Sequence, residues 1–243
     1  MRIIKLDATD STNAYLKNVM LSEVLDDFTI VTAREQLKGR GQMGTEWQSE
    51  PGKNLTFSLL KKFDALPVRE QFLLNIAVSL AVYNTLKNLQ ITDVSIKWPN
   101  DILSGSLKIC GILIENVLHN QHIQSAVIGI GLNVNQVAFD QLPDATSIKL
   151  VTGKTLVIDE ILQALVKQLK RVFLEFEGKT VGEVKTDYEK FLFRKDKPST
   201  FRQPSGELFM GFIRGVNDQG RLRVVLEDGV SREFDFKELQ LLY

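Results

Sequence analysis

The sequence predicts an α+β fold on two observations. Apolar β-branched runs and helix-spaced apolar residues follow one another without a strict βαβ alternation, and short alternating strands fill the chain beyond Pro198. Residues 3–6 read as a short strand, after which Asp10, Ser11 and Thr12 supply N-cap chemistry for a helix to about Met20. Residues 28–33 are apolar and β-branched, as a buried strand requires. Residues 36–53 break into glycines, polar side chains and one Trp, a stretch of the kind that is either functional or disordered. Order resumes with a strand at 55–60. Phe72, Leu73, Ile76, Ala77, Leu80 and Tyr83 then recur at i, i+3, i+4 spacing, which predicts a helix over 70–89 with a core-facing stripe. Strands follow at 94–97, 109–117 and 126–134, and helices at 161–173 and 181–193. Near Arg194 the character changes, which divides the chain into 1–193 and 194–243. In the second part, strands at 208–216, 222–226 and 230–234 are joined by turn signals, among them Asp228-Gly229, and predict a small all-β barrel.

Bulk properties narrow the function. The chain has 243 residues with 44% hydrophobic content, enough for a sizeable core. Thirty basic residues balance thirty acidic ones, so no global field draws the protein to DNA or an anionic membrane. The charged start of the chain has no signal-peptide core, and no run reaches the roughly 20 apolar residues of a membrane helix. With Cys110 as its one cysteine, the chain suits a reducing, cytoplasmic setting. Cys110, His119 and His122 lack the spacing of a metal motif.

Four segments carry chemistry. Gly39-Arg40-Gly41-Gln42-Met43-Gly44 sets a guanidinium among glycine amides, an arrangement that surrounds an anion, although a plain surface loop answers the same pattern. Lys97-Trp98-Pro99-Asn100-Asp101 makes a rigid aromatic turn beside polar groups, with Asp101 able to help hold Mg²⁺. Lys108 stands immediately before an apolar strand that contains Gly111, where desolvation would aim its ammonium at one point, although a strand-end lysine is usually just solvated. Gly129 and Gly131, ahead of Asn133, lie inside a strand pattern and point to a bulge or to a group packed on the backbone.

In this order, with Asp10-Ser11-Thr12-Asn13 ahead of them and Trp47 and Pro51-Gly52-Lys53-Asn54-Leu55 between, these segments resemble the signature of biotin protein ligases. The resemblance implies a catalytic domain like that of class II aminoacyl-tRNA synthetases, followed by a small SH3-like barrel. It identifies a short form without the N-terminal DNA-binding domain of repressor members. It further implies that biotin and ATP, with Mg²⁺, form biotinyl-5′-adenylate, and that biotin then passes to a lysine of a biotin carboxyl carrier domain of a carboxylase. Family members include monomers and dimers. By resemblance, Lys108 and Arg40 are catalytic. Ser11, Thr12, Asn13 and Gln36 bind biotin, Gly39, Arg40, Gly41 and Gln42 fold over it, and Gly111 lies along its valeryl chain. Trp47, Lys97, Asn100 and Asn133 meet the nucleotide, and Asp101 its metal.

Two other readings share the fold: a lipoate or octanoate ligase, whose family lacks Lys-Trp-Pro-Asn-Asp, and a non-catalytic biotin-binding protein. One departure from the family pattern has a consequence. Gln42 stands where many members carry a second arginine, and Thr45 replaces another frequent basic residue. An amide hydrogen-bonds without the charge that retains an adenylate. Gln42→Arg is therefore expected to slow adenylate dissociation; a faster off-rate in the variant would contradict the assignment.

Overall fold

Seven strands form the main sheet of the computed structural model, which describes residues 1–140 and 142–243 and, at Met43, the backbone. They are β1 (Ile3–Thr9), β2 (Ile30–Gln36), β3 (Leu55–Pro67), β4 (Val94–Lys97), β5 (Asp101–Ser104), β6 (Leu107–His119) and β7 (His122–Leu132). Their order is β1-β2-β3-β7-β6-β5-β4; β1 and β2 are parallel and every other neighbour is antiparallel. The parallel pair needs a crossover, and α1 (Thr12–Ser22) supplies it.

Successive strand residues face opposite ways, and here both faces are covered. Ile30, Leu59 and Ile128 join a large apolar core, while their neighbours Val31, Leu60 and Val127 join a smaller one with Leu16 of α1 and Leu25. The large core is closed by α2 (Phe72–Asn88), against which both α4 (Ile158–Phe176) and α5 (Val181–Glu189) pack, while α3 (Ile148–Thr152) is a single short turn. Burial on both faces explains why Leu55-Thr56-Phe57-Ser58-Leu59-Leu60 is buried throughout rather than at alternate positions.

The helix predicted over 181–193 starts as expected, with a capping box between Thr180 and Glu183, and ends early at Glu189. The reason lies in the β4 edge: the Ile96 N–H donates to Phe191 O and the Phe193 N–H donates to Ile96 O, both at 2.8 Å, so 191–193 is drawn out as an added bridge. The strand expected over 126–134 begins earlier, because Asn120 and Gln121 both take positive φ (47° and 61°) and make a tight β6–β7 turn without glycine. β5 was not expected, and neither was the 3₁₀ turn Gln42–Gly44.

The C-terminal strands are β8 (Pro198–Arg202), β9 (Leu208–Val216), β10 (Leu222–Leu226), β11 (Ser231–Phe234) and β12 (Gln240–Leu242), in the order β11-β10-β9-β8-β12. The expected closed barrel is thus an open sheet: among the described residues no ladder joins β11 to β12, and β12 turns instead to wall a cavity of the main sheet. The small sheet is anchored by Trp98, whose indole N–H donates to Gly220 O at 2.8 Å, and by Gly220 itself (φ 86°), where a Cβ would stand 2.2 Å from the Phe72 ring. Phe201, Ile213, Val224 and Phe234 belong to the same apolar core as the main sheet. Among the described residues no helix is long and apolar enough to cross a membrane.

Leu16 is fully buried and fixes the helix that begins at Thr12. Leu16→Ala is expected to cost about 2–5 kcal/mol of unfolding free energy, read from equilibrium denaturation; a loss well under 1 kcal/mol would mean that α1 is not held by this contact.

Candidate active site

Beyond the end of α1, the sheet face that it covers is hollow. Cross-strand rows on this face run Leu60–Val127–Glu115, then Ser58–Gly129–Leu113, then Thr56–Gly131–Gly111–Asp101. Three side chains are thereby reduced to hydrogen where the other strands carry full residues. The result is a cavity of about 660 Å³ walled by the N-terminus of α1, the loop after β2, β6, β7 and the last residues of the chain.

The loop after β2 folds on itself: the Gly41 N–H donates to Thr45 O (2.7 Å), the Trp47 N–H donates to Gly39 O (3.0 Å), and Arg40 bridges Glu46. It lays the Trp47 indole across the glycine pair, so that a Cβ on Gly131 would stand 2.4 Å from the ring and one on Gly111 3.1 Å away. The indole N–H is buried without an acceptor among the described residues. Lys108 Nζ lies 5.8 Å from the Trp47 ring centroid and 2.6 Å from Asp101 Oδ1, off the hydrogen-bonding direction of that buried oxygen. Its backbone is clamped, with its N–H donating to Asp144 O (2.6 Å) and its carbonyl accepting from the Thr146 N–H (2.9 Å). A cation is thus held on a rigid strand at the cavity floor, with one carboxylate and one aromatic face beside it.

The other end of the cavity is polar and buried. Gln36 Oε1 accepts from the Thr12 N–H (2.8 Å) and lies 3.1 Å from Thr12 Oγ1. Ser58 Oγ lies 2.7 Å from Thr12 Oγ1 and 2.5 Å from Asn13 Oδ1. Asn13 Nδ2 donates to Glu115 Oε2 (2.8 Å), whose other oxygen meets Lys17 Nζ at 2.6 Å. Gly129 makes room for this cluster, since a Cβ there would fall 2.5 Å from Asn13 Oδ1. Ser11 takes the expected N-cap position without a side-chain capping bond; Gln36 satisfies the helix N–H at Thr12 instead, and Ser11 lines the cavity.

Ser11, Thr12, Asn13, Gln36, Arg40, Gly41, Gln42, Trp47, Lys97, Asn100, Asp101, Lys108 and Gly111 all line this one cavity. Gly39 sits behind it, its Cβ position 2.3 Å from Trp47 O. Asn133 is buried outside the lining; its Nδ2 donates to Thr146 O (2.9 Å) and its Oδ1 has no partner among the described residues. Asn100 Nδ2 donates to Ile112 O (2.8 Å), which ties β6 to the Trp98–Pro99 turn. Lys97 Nζ meets Tyr243 OH at 3.0 Å and lies 4.8 Å over its ring. Ser58, Glu115 and the 236–243 segment escaped the sequence reading. Ser58 and Glu115 left a signal, as polar interruptions of largely apolar strand runs, beside Thr56 and Asn116 respectively; 236–243 left none. Cys110 is fully buried in the core, and that burial pushes its thiol pKa up. Among the described residues no three His, Cys, Asp or Glu side chains gather as a metal cluster.

A family model described as the biotin/lipoate A/B protein ligase family matches residues 6–133. A bifunctional ligase/repressor BirA of Bacillus spizizenii is 28% identical over 209 residues, covering 84% of this chain, which spans 63% of that relative's length. A biotin--[acetyl-CoA-carboxylase] ligase of Paracoccus denitrificans is 30% identical, covering 89% of this chain and 91% of that one. The structure of a biotin protein ligase from Aquifex aeolicus in complex with biotin and ATP superposes with a TM-score of 0.80 at 27% identity, covering 99% of this chain and 98% of the other.

Gly131→Ala is expected to push the indole off the floor and shift tryptophan emission to the red. In a Trp47→Phe background the same substitution should leave emission unchanged; an equal shift there would place the perturbation at Trp98 instead.

Proposed function

The chain belongs to the biotin/lipoate A/B protein ligase family, and from that premise we propose that it is a biotin protein ligase, activating biotin with ATP and passing it to a lysine of a carboxylase's biotin carrier domain. The observation that carries this reading is one cavity with two unlike ends, a polar cluster of buried Ser11 and Thr12 with half-buried Gln36 and a floor-mounted Lys108. A cyclic urea needs matched donors and acceptors when it leaves water, and the first end offers them. A lipoyl or octanoyl tail has no such need, so the same cluster argues against those substrates.

In the first step a biotin carboxylate oxygen attacks the α-phosphorus of ATP, the bond to the β-phosphate oxygen breaks, and pyrophosphate leaves. Lys108 is the cation for the carboxylate and α-phosphate, held in place before charge develops. Arg40 supplies a second positive charge from the loop. In the second step the carrier lysine's neutral amine attacks the anhydride carbonyl and AMP departs with the bond's electrons. The Arg40–Trp47 loop keeps water from that anhydride. Trp47, Lys97 and Asn100 are the residues assigned to the nucleotide, while Asn133, outside the cavity lining, holds the Thr146 carbonyl instead.

Mg²⁺ commonly takes one or two carboxylates and completes its shell with phosphate oxygens and water. Asp101 lines the cavity and offers such a carboxylate, but its Oδ1 already stands 2.6 Å from Lys108 Nζ, so a metal there would share the group with that cation. Bound there, the metal would neutralise charge on the leaving pyrophosphate. The reading extends to a class II synthetase-like catalytic domain over 1–193, an SH3-like module over 194–243, and a cytoplasmic setting.

Mass spectrometry after incubation with ATP, Mg²⁺ and, separately, biotin, lipoate or octanoate tests it. Biotinyl-adenylate is expected with biotin alone, falling about 10²–10³-fold in Lys108→Ala. Activation of lipoate or octanoate in place of biotin would overturn the substrate, and no activation at all would favour a binding protein.

A further inference from the structure

The buried polar cluster behind Thr12 contains too few hydrogens to be arranged in more than one way. Glu115 is a carboxylate in contact with Lys17, so its oxygens only accept; one meets Lys17 Nζ at 2.6 Å and the other Asn13 Nδ2 at 2.8 Å. Leu113 O, a second acceptor, lies 3.4 Å from the same Nδ2. The Asn13 amide is thereby turned with its oxygen toward Ser58, 2.5 Å away. Two oxygens at that separation need a hydrogen between them, and Asn13 Oδ1 has none, so the single Ser58 hydrogen points to Asn13. Ser58 Oγ must then accept from Thr12 Oγ1, 2.7 Å away, which uses the single Thr12 hydrogen. Thr12 Oγ1 and Gln36 Oε1, 3.1 Å apart at the cavity wall, are left facing each other as acceptors.

We propose that Glu115 is a specificity-determining positioning residue: through Asn13 and Ser58 it sets the hydrogen-bond polarity of Thr12, so that the cavity end demands an N–H donor from its ligand. This rests on the biotin reading, since a cyclic urea carries such N–H groups and a dithiolane or alkyl tail does not. A donor placed between the two oxygens relieves their repulsion, while a ligand without one leaves it standing. The chain therefore selects its ligand with a carboxylate separated from Thr12 by two intervening side chains.

A double-mutant cycle read by biotin affinity in calorimetry tests the relay. Glu115→Gln has one oxygen for two donors, Lys17 and Asn13; it is expected to weaken biotin binding about tenfold. Ser58→Ala cuts the relay and should weaken binding comparably, and in that background Glu115→Gln should cost nothing further. Thr12→Val, which removes the end of the relay, repeats the test should Ser58→Ala fold poorly. Equal losses from Glu115→Gln in both backgrounds, or no loss from it in the unmodified chain, overturn the relay while leaving the biotin reading intact. No biotin binding by the unmodified chain overturns both. The thermal midpoint serves as the control, because a merely structural Glu115 would lower it without coupling to Ser58 in affinity.

Discussion

On the face of the main sheet that α1 covers, β7 carries Val127, Gly129 and Gly131 in turn, and the loss of two side chains decides what can lie there. Under α1 the sheet is filled by Leu60 and Val127 and the contact is apolar packing. Two residues along, the missing Cβ of Gly129 admits the Asn13 amide, and two further along that of Gly131 admits the Trp47 ring. The cavity therefore follows from a strand that keeps its backbone ladder while giving up its side chains. Any residue larger than glycine forces the Asn13 amide to move at the first position and the Trp47 ring at the second, and the candidate site is built on both.

That arrangement carries an energetic cost that the surroundings offset. Ser58, Thr12 and Asn13 are each buried almost completely, and an unpaired polar group at such a depth costs about 1–3 kcal/mol. Each has partners within the cluster. The apolar contacts of Leu16 on one side and the Lys17–Glu115 pair on the other keep α1 from sliding off them. A half-exposed ion pair adds little stability by itself. Its effect here is orientational, because a charged acceptor leaves the neighbouring amide no choice of rotamer.

Much of the architecture was legible from local pattern. The long helices over 70–89 and 161–173 announced themselves by periodicity, and Asp228-Gly229 announced its hairpin, because each signal is made by residues close in sequence. The lining of the candidate site was legible through its glycines and charges: Gly111, Gly129, Lys108 and Arg40 stand out from any strand or loop average and share one cavity. What escaped depends on distant partners. The end of α5 is set by the free edge of β4, and the open C-terminal sheet by the cavity that β12 walls. Ser58 and Glu115 could have been noticed as polar interruptions, yet their connection through Asn13 exists only once three strands and a helix meet. Asn133 shows the converse: a residue conspicuous in sequence whose amide is turned to Thr146, away from the cavity.

The anchoring of the small sheet has a consequence for how this chain can change over time. Its apolar residues are continuous with the main core, Gly220 rests on the Phe72 ring, and Trp98, from the turn that leads to Asn100 and Asp101, reaches across to it. A module joined only by a tether can be exchanged like a cassette. This one shares its foundations with the candidate site, so a replacement would have to reproduce the seat for Trp98 and Phe72 before it could contribute anything of its own.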